Sequence, residues 1–142
     1  MMGNLLVIIK QSKILILLFC TTLFGCSSEL KTYPTTGKVI FKNDGKPFTG
    51  RIYFEAVKPP HTRSMAYIKQ DGSFSLSTVK EGSGAVEGEQ IVRVDPDIPD
   101  GPDYANRAKI VARKYLDFPS SPIRINIEPH NKNYFLIELE RP

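Results

Sequence analysis

The side chains best equipped for chemistry fall in a few places. Asp95, Asp97, Asp100 and Asp103 put four carboxylates into the nine residues from Asp95 to Asp103. Carboxylate oxygens are the hard ligands that calcium takes, which makes this loop the candidate metal site. Its likeness to an EF-hand loop is superficial. The third Asp comes one residue late, and Arg107 stands six residues after Gly101, where a closing Glu should be. The prolines between the acids also fit a solvated acidic loop that binds nothing. His61 follows Pro59-Pro60 and His130 lies in Pro129-His130-Asn131-Lys132, so both read as solvated loop residues. Gly82-Ser83-Gly84 lacks the spacing of a nucleophile elbow and reads as a flexible linker. No nucleophile, base and orienting group can be assembled from these residues, so neither an enzyme nor a bound cofactor is expected.

Cys26 is the remaining reactive group, and its surroundings give it a use. Lys10 and Lys13 precede a mainly apolar run of eleven residues, Ile14 to Phe24, which ends on Gly25-Cys26. A cationic stretch, an apolar run and a small residue at its end are the parts of an export signal. Eleven helical residues extend about 16 Å, roughly half a hydrocarbon core, and the Lys10 to Lys13 block interrupts an extension back to Leu5. Leu23-Phe24-Gly25-Cys26 resembles the bacterial lipobox, with Leu three residues before the Cys and a small residue just before it. Phe24 departs from the smaller residue usual there. The resemblance implies cleavage between Gly25 and Cys26, a diacylglyceryl thioether on Cys26 and a fatty acyl group, such as palmitate, on the new amino terminus. Two or more chains anchor a protein stably where one holds it only reversibly. Residues 1–25 are therefore expected to be a lipoprotein signal peptide containing a signal helix, and 26–32 a lipidated tether. Residues 33–142 would be a domain held at a bacterial cell envelope, facing the periplasm or the exterior.

Composition agrees with one exported domain. The chain has 142 residues, 19 Lys and Arg against 15 Asp and Glu, and no Trp. That length suits a single domain of ordinary size, and the balance excludes a disordered tail, a collagen-like repeat and a multi-span membrane protein. Loss of residues 1–25 removes Lys10 and Lys13, so the charge falls from +4 to +2. Cys20 leaves with the same segment, and no disulfide remains available. A nearly neutral exported domain gives no ground for a nucleic-acid partner.

The elements that must position these groups are strands. Gly37 to Phe41 is apolar and β-prone, and Asp44-Gly45 after it predicts a tight hairpin into Arg51 to Val57. In that second run Ile52, Phe54 and Ala56 share a face, and Pro59-Pro60 ends it. Met65 to Lys69 and Ser73 to Ser77 flank Gln70-Asp71-Gly72 as a second predicted hairpin, with Phe74 and Leu76 inward. Val92 and Val94 share a face within Gln90 to Val94, and a long loop spans 95–109. Residues 108–115 fit a helical turn or two, or a short extended edge. Ile123, Ile125 and Ile127 alternate with polar residues, as do Phe135, Ile137 and Leu139 with Leu136 and Glu138. About seven short strands with frequent turns predict an all-β fold, a small antiparallel β-sandwich. Tyr33, Tyr53, Tyr67, Tyr104, Tyr115 and Tyr134 could offer a sugar-stacking surface, although tyrosine is commonly half-buried with its hydroxyl at the rim.

The order of these pieces adds a resemblance. Tyr33-Pro34-Thr35-Thr36-Gly37-Lys38-Val39, Gly45-Lys46-Pro47-Phe48-Thr49-Gly50 and Ile52-Tyr53-Phe54 come first. Gln70-Asp71-Gly72-Ser73-Phe74-Ser75-Leu76 and Gly88-Glu89-Gln90-Ile91-Val92-Arg93-Val94 follow. The series resembles the carboxypeptidase regulatory-like domains of lipoproteins from planctomycete-type bacteria, which have a transthyretin-like (prealbumin-like) sandwich with Greek-key, Ig-like connections. Lys114-Tyr115 and Ser120 to Ile123 resemble the ending of that group, so the likeness covers about residues 33 to 140. Phe48, Thr49, Gln90 and His130-Asn131 are departures. The hydroxyisourate hydrolase on the same superfold uses several histidines and a C-terminal Tyr-Arg-Gly-Ser, whereas this sequence ends Glu138-Leu139-Glu140-Arg141-Pro142. The resemblance thus implies a non-catalytic module, and a fold alone does not supply its ligand. The function expected is a membrane-anchored envelope lipoprotein whose sandwich is a structural or protein-interaction module. Its partners would be the membrane, through the lipid, and other envelope proteins. The alternative is an envelope module that binds carbohydrate or calcium.

Overall fold

Among the described residues, β-prone side chains at alternate buried positions build seven strands. These are β1 (Thr35–Phe41), β2 (Gly50–Ala56), β3 (Arg63–Ile68), β4 (Ser73–Ser75), β5 (Gly88–Pro96), β6 (Arg124–Ile127) and β7 (Asn133–Leu139). The structure is a computed structural model that describes residues 29–98, 104–130 and 132–142. The expected signal helix, Cys26, Asp100 and Asp103 lie outside the described residues. A three-stranded sheet in the order β4-β1-β7 faces a four-stranded sheet in the order β3-β2-β5-β6. Val39, Phe74, Ile137 and Leu139 from the first sheet meet Ile52, Phe54, Val92, Val94 and Ile127 from the second in one buried core. Phe54 and Phe74 touch across it at 6.1 Å between ring centroids. The all-β, two-sheet architecture and the inward faces expected for β2, β4, β5, β6 and β7 are thus present.

Strand direction and connection differ from expectation. β1 and β7 run parallel through seven residue pairs, from Thr35↔Asn133 to Phe41↔Leu139, so the sandwich is not wholly antiparallel. Nor do the two Asp-Gly turns join neighbours within a sheet. After Asp44-Gly45 the chain folds back on β1 only briefly, with Phe41 N–H bonded to Lys46 O at 2.9 Å and Phe48 N–H to Val39 O at 3.0 Å. Beyond Val39 that edge of β1 is taken by β4, from Lys38↔Ser73 to Thr36↔Ser75, and Phe48 turns into the core, so β2 starts in the opposite sheet. At the second turn the expected hairpin is bonded at both ends, with Lys69 N–H on Ser73 O at 2.9 Å and Met65 and Ser77 exchanging N–H···O bonds at 3.0 and 2.9 Å, while between these points β4 pairs with β1 and β3 with β2. The two turns are corners between sheets, and this delivers the last strand parallel to the first.

β5 also reaches further than expected. It continues through Asp95 and Pro96, because Arg51↔Asp95 and Gly50↔Pro96 extend its pairing with β2. Of the alternatives for 108–115, the helical one is closer. A short helix α1 (Tyr104–Arg107) and a 3-10 turn (Arg113–Tyr115) carry Val111, Tyr115 and Leu116 into the core. Ala112 N–H bonds Glu140 O at 3.1 Å and fastens this segment just past the end of β7.

Candidate functional site

Because Ile52, Phe54, Val92 and Val94 point inward, the strand period of two fixes their neighbours on the outer face of the four-stranded sheet. Pairing then assembles rows across that face. Arg51 stands beside Tyr67 and Asp95, Tyr53 beside Met65 and Arg93, and Glu55 beside Arg63 and Ile91. Arg124 on β6 stands beside Ile91. The Arg93 guanidinium lies 4.0 Å from the Tyr53 ring centroid and 5.3 Å from that of Phe118, which arrives from the segment before β6. Arg63 also approaches Phe118, at 5.4 Å from the ring centroid, and bonds Glu55 Oε2 through Nε at 2.5 Å. The result is a ridge of alternating cations and rings, Arg63–Phe118–Arg93–Tyr53.

The acidic loop is divided by the fold. Asp95 is buried, and its two carboxylate oxygens face two arginines: Arg51 at 3.2 Å on Oδ2 and Arg107 at 3.3 Å on Oδ1. A calcium ion would have to displace both guanidinium groups. Asp97 is exposed beyond the end of β5. No group of three or more His, Cys, Asp or Glu side chains gathers for a metal among the described residues.

The other candidates have structural surroundings. His61 is exposed in the β2–β3 turn, with Nδ1 3.1 Å from Ala56 O, and His130 is exposed in the β6–β7 turn. Gly82-Ser83-Gly84 is a bonded turn rather than a linker. Ser83 Oγ accepts from Thr78 and Val79 N–H at 3.1 and 3.2 Å, and Thr78 Oγ1 donates to Gly84 O at 2.5 Å. Small residues there serve close approach, since a Cβ on Gly84 would fall 1.7 Å from Tyr33 O. Tyr115 is in the core and Tyr33 packs against it, while Tyr53 lies beside Arg93. Tyr67 and Tyr134 are exposed but stand on different sheets, so they do not form one stacking platform. The Tyr104 side chain is not among those described.

The ridge was not among the sequence candidates. Alternation places Arg93 outward between Val92 and Val94, but only strand register puts Tyr53 beside it. Phe118 is brought in by a turn with no periodicity. Gln90, where the resembled domains have an aromatic, is fully buried and donates from Nε2 to Val86 O at 3.1 Å and Gly88 O at 3.3 Å.

Fold and site together define a seven-stranded, two-sheet β-sandwich with an arginine–aromatic outer face. Comparison with protein-family models, curated proteins and solved structures finds no match for the chain.

Proposed function

We propose that this chain is a lipid-anchored bacterial cell-envelope protein whose sandwich is a non-catalytic protein-interaction module. The observation that carries the module reading is the Arg93 guanidinium held between Tyr53 and Phe118 on an outer sheet face. Arginine and tyrosine are the residues that dominate protein–protein hot spots, and stacking on rings orients the guanidinium before a partner arrives. Anchoring is supported by Leu23-Phe24-Gly25-Cys26, which stands three residues ahead of the first described residue, Glu29. Residues 1–25 then serve as signal peptide and 26–32 as tether.

The strand order supports the transthyretin-like side of the resemblance. An immunoglobulin constant domain groups its first, second, fifth and fourth strands in one sheet and its third, sixth and seventh in the other. Here the first strand sits with the fourth and seventh, and the second with the third, fifth and sixth.

Metabolic labelling with a fatty acid tests the anchor. The wild-type chain takes up label, Cys26→Ser abolishes it, and a labelled Cys26→Ser protein defeats the lipoprotein reading. Crosslinking in native membranes tests the module: a protein recovered reproducibly is expected, and recovery of none counts against it.

A further inference from the structure

We propose that Arg93 is the anchor point for a carboxylate, presented by an Asp or Glu side chain among apolar neighbours on a partner protein. This rests on the interaction-module reading and names the face and the chemistry it takes.

Charge accounting on the outer face singles Arg93 out. Four arginines project from its strands, one from each of β2, β5, β3 and β6: Arg51, Arg93, Arg63 and Arg124. Three have a carboxylate within the face: Arg51 has Asp95 at 3.2 Å, Arg63 has Glu55 at 2.5 Å and Arg124 has Glu89 at 3.9 Å. Arg93 has no carboxylate partner among the described residues and is half-buried against Tyr53 and Phe118. A positive charge partly removed from water without a counter-ion is costly, and a carboxylate arriving in that setting is attracted more strongly than at an open surface.

Geometry favours a carboxylate. Rings that cover a guanidinium leave its edge as the donor surface, and that planar fork matches two carboxylate oxygens. Stacking has already cost the side chain part of its rotamer freedom, so less is lost on binding. The other strand arginines of the face each have a carboxylate neighbour, with Asp95 shared between Arg51 and Arg107, so Arg93 is the strand arginine left for an incoming carboxylate. Tyr67, Met65 and Ile91 on the same face supply the ring and thioether surface typical of a protein interface.

The test uses the full chain in detergent micelles and two fluorescent peptides, one with a single Glu between leucines and one with Gln in its place. Fluorescence polarization is expected to show the Glu peptide binding at least tenfold tighter than the Gln peptide, and more weakly as salt is raised. Arg93→Ala should abolish that preference, and Arg93→Lys, which keeps the charge but not the fork, should reduce it several-fold. Lys132→Ala, a cation removed from another part of the surface, should leave it intact. Equal binding of the two peptides, an undiminished preference in Arg93→Ala, or inorganic phosphate competing at lower concentration than acetate would overturn the assignment. Should Arg93→Ala fail to fold, Phe118→Ala serves instead, since it removes a stacking ring and should lower affinity for the Glu peptide. If the peptides fail while crosslinking still recovers a partner, this face is wrong and the module reading stands. If the peptides behave as stated and crosslinking recovers nothing, the carboxylate site stands and the module reading fails.

Discussion

Several carboxylates in this domain hold backbone N–H groups or arginines, and those at two turns shape its acid response. Asp71 Oδ1 accepts from Ser73 N–H at 2.9 Å and from Ser73 Oγ at 2.6 Å, closing the turn between β3 and β4. These bonds, the hydroxyl first, hold the Asp71 carboxyl below its ordinary value of 3.8. Asp44 is lowered in the same direction, chiefly by the Lys46 N–H. A carboxyl lowered by folding binds fewer protons in the native than in the unfolded state. Its contribution is therefore complete above the ordinary value and is lost as pH falls through the lowered one. Urea melts between pH 5 and pH 2 should show stability declining below about pH 4, with Asp71→Asn flattening part of that decline. An identical acid limb in the variant would show that this turn does not contribute. Asp95 is a carboxylate whose partners were hidden in the sequence: spacing offers it to a metal, and only the register of β5 against β2, with the approach of α1, commits it to Arg51 and Arg107.

The turns decide what the strands can do, and two glycines show how. Gly84 has φ of +83° and lies against the Tyr33 backbone, where Tyr33 and Ala85 exchange hydrogen bonds at 2.8 and 3.1 Å. Gly84→Ala adds a Cβ in a left-handed conformation and drives it into that backbone, so a loss of at least about 2 kcal/mol is expected from chemical denaturation. Gly45→Ala has a comparable φ of +66° but nothing within 4 Å of its new Cβ, and should cost only about 1–2 kcal/mol. Equal losses at the two sites would remove the steric part of the argument. Gly45 belongs to local chemistry, which is why the strands were legible: period-two burial and turn residues are written into neighbouring positions, whereas the constraint on Gly84 comes from Tyr33, far away in the sequence. Gly37 shows the boundary of that legibility. Its place in the opening motif is readable, but the causes are distant in sequence: a Cβ there would stand 2.3 Å from Phe135 O on β7 and 2.6 Å from the Phe74 ring on β4. In the same way, nothing near Asp44-Gly45 says that the next strand joins the other sheet, because burial of Phe48 decides it. The ridge needed strand register to bring Tyr53 to Arg93 and an aperiodic turn to bring Phe118, and so could not be read along the chain.

At the scale of the whole molecule, the first and last strands close the fold on each other. β7 supplies one flank of β1 throughout, and Ile137 and Leu139 fill the core under Val39 and Phe41. The β1–β7 contacts join residues about a hundred positions apart, so the loop-closure entropy is spent before they form, and folding is expected in milliseconds to seconds rather than microseconds. The same closure makes the sandwich cooperative. A chain stopped after Lys132 keeps every strand of the four-stranded sheet, together with the whole arginine–aromatic ridge. It leaves β1 with only the three-residue β4 beside it and uncovers core side chains from both sheets. If the two sheets were independent, this truncated chain would retain a protected β2–β5 pair and the ridge. If they form one cooperative unit, limited proteolysis should cut within β2 and β5 at rates far above those of the intact chain, and Arg93 should lose its carboxylate preference although no ridge residue was removed. Retained protection of β2 and β5 would show that the interaction face stands on the four-stranded sheet alone.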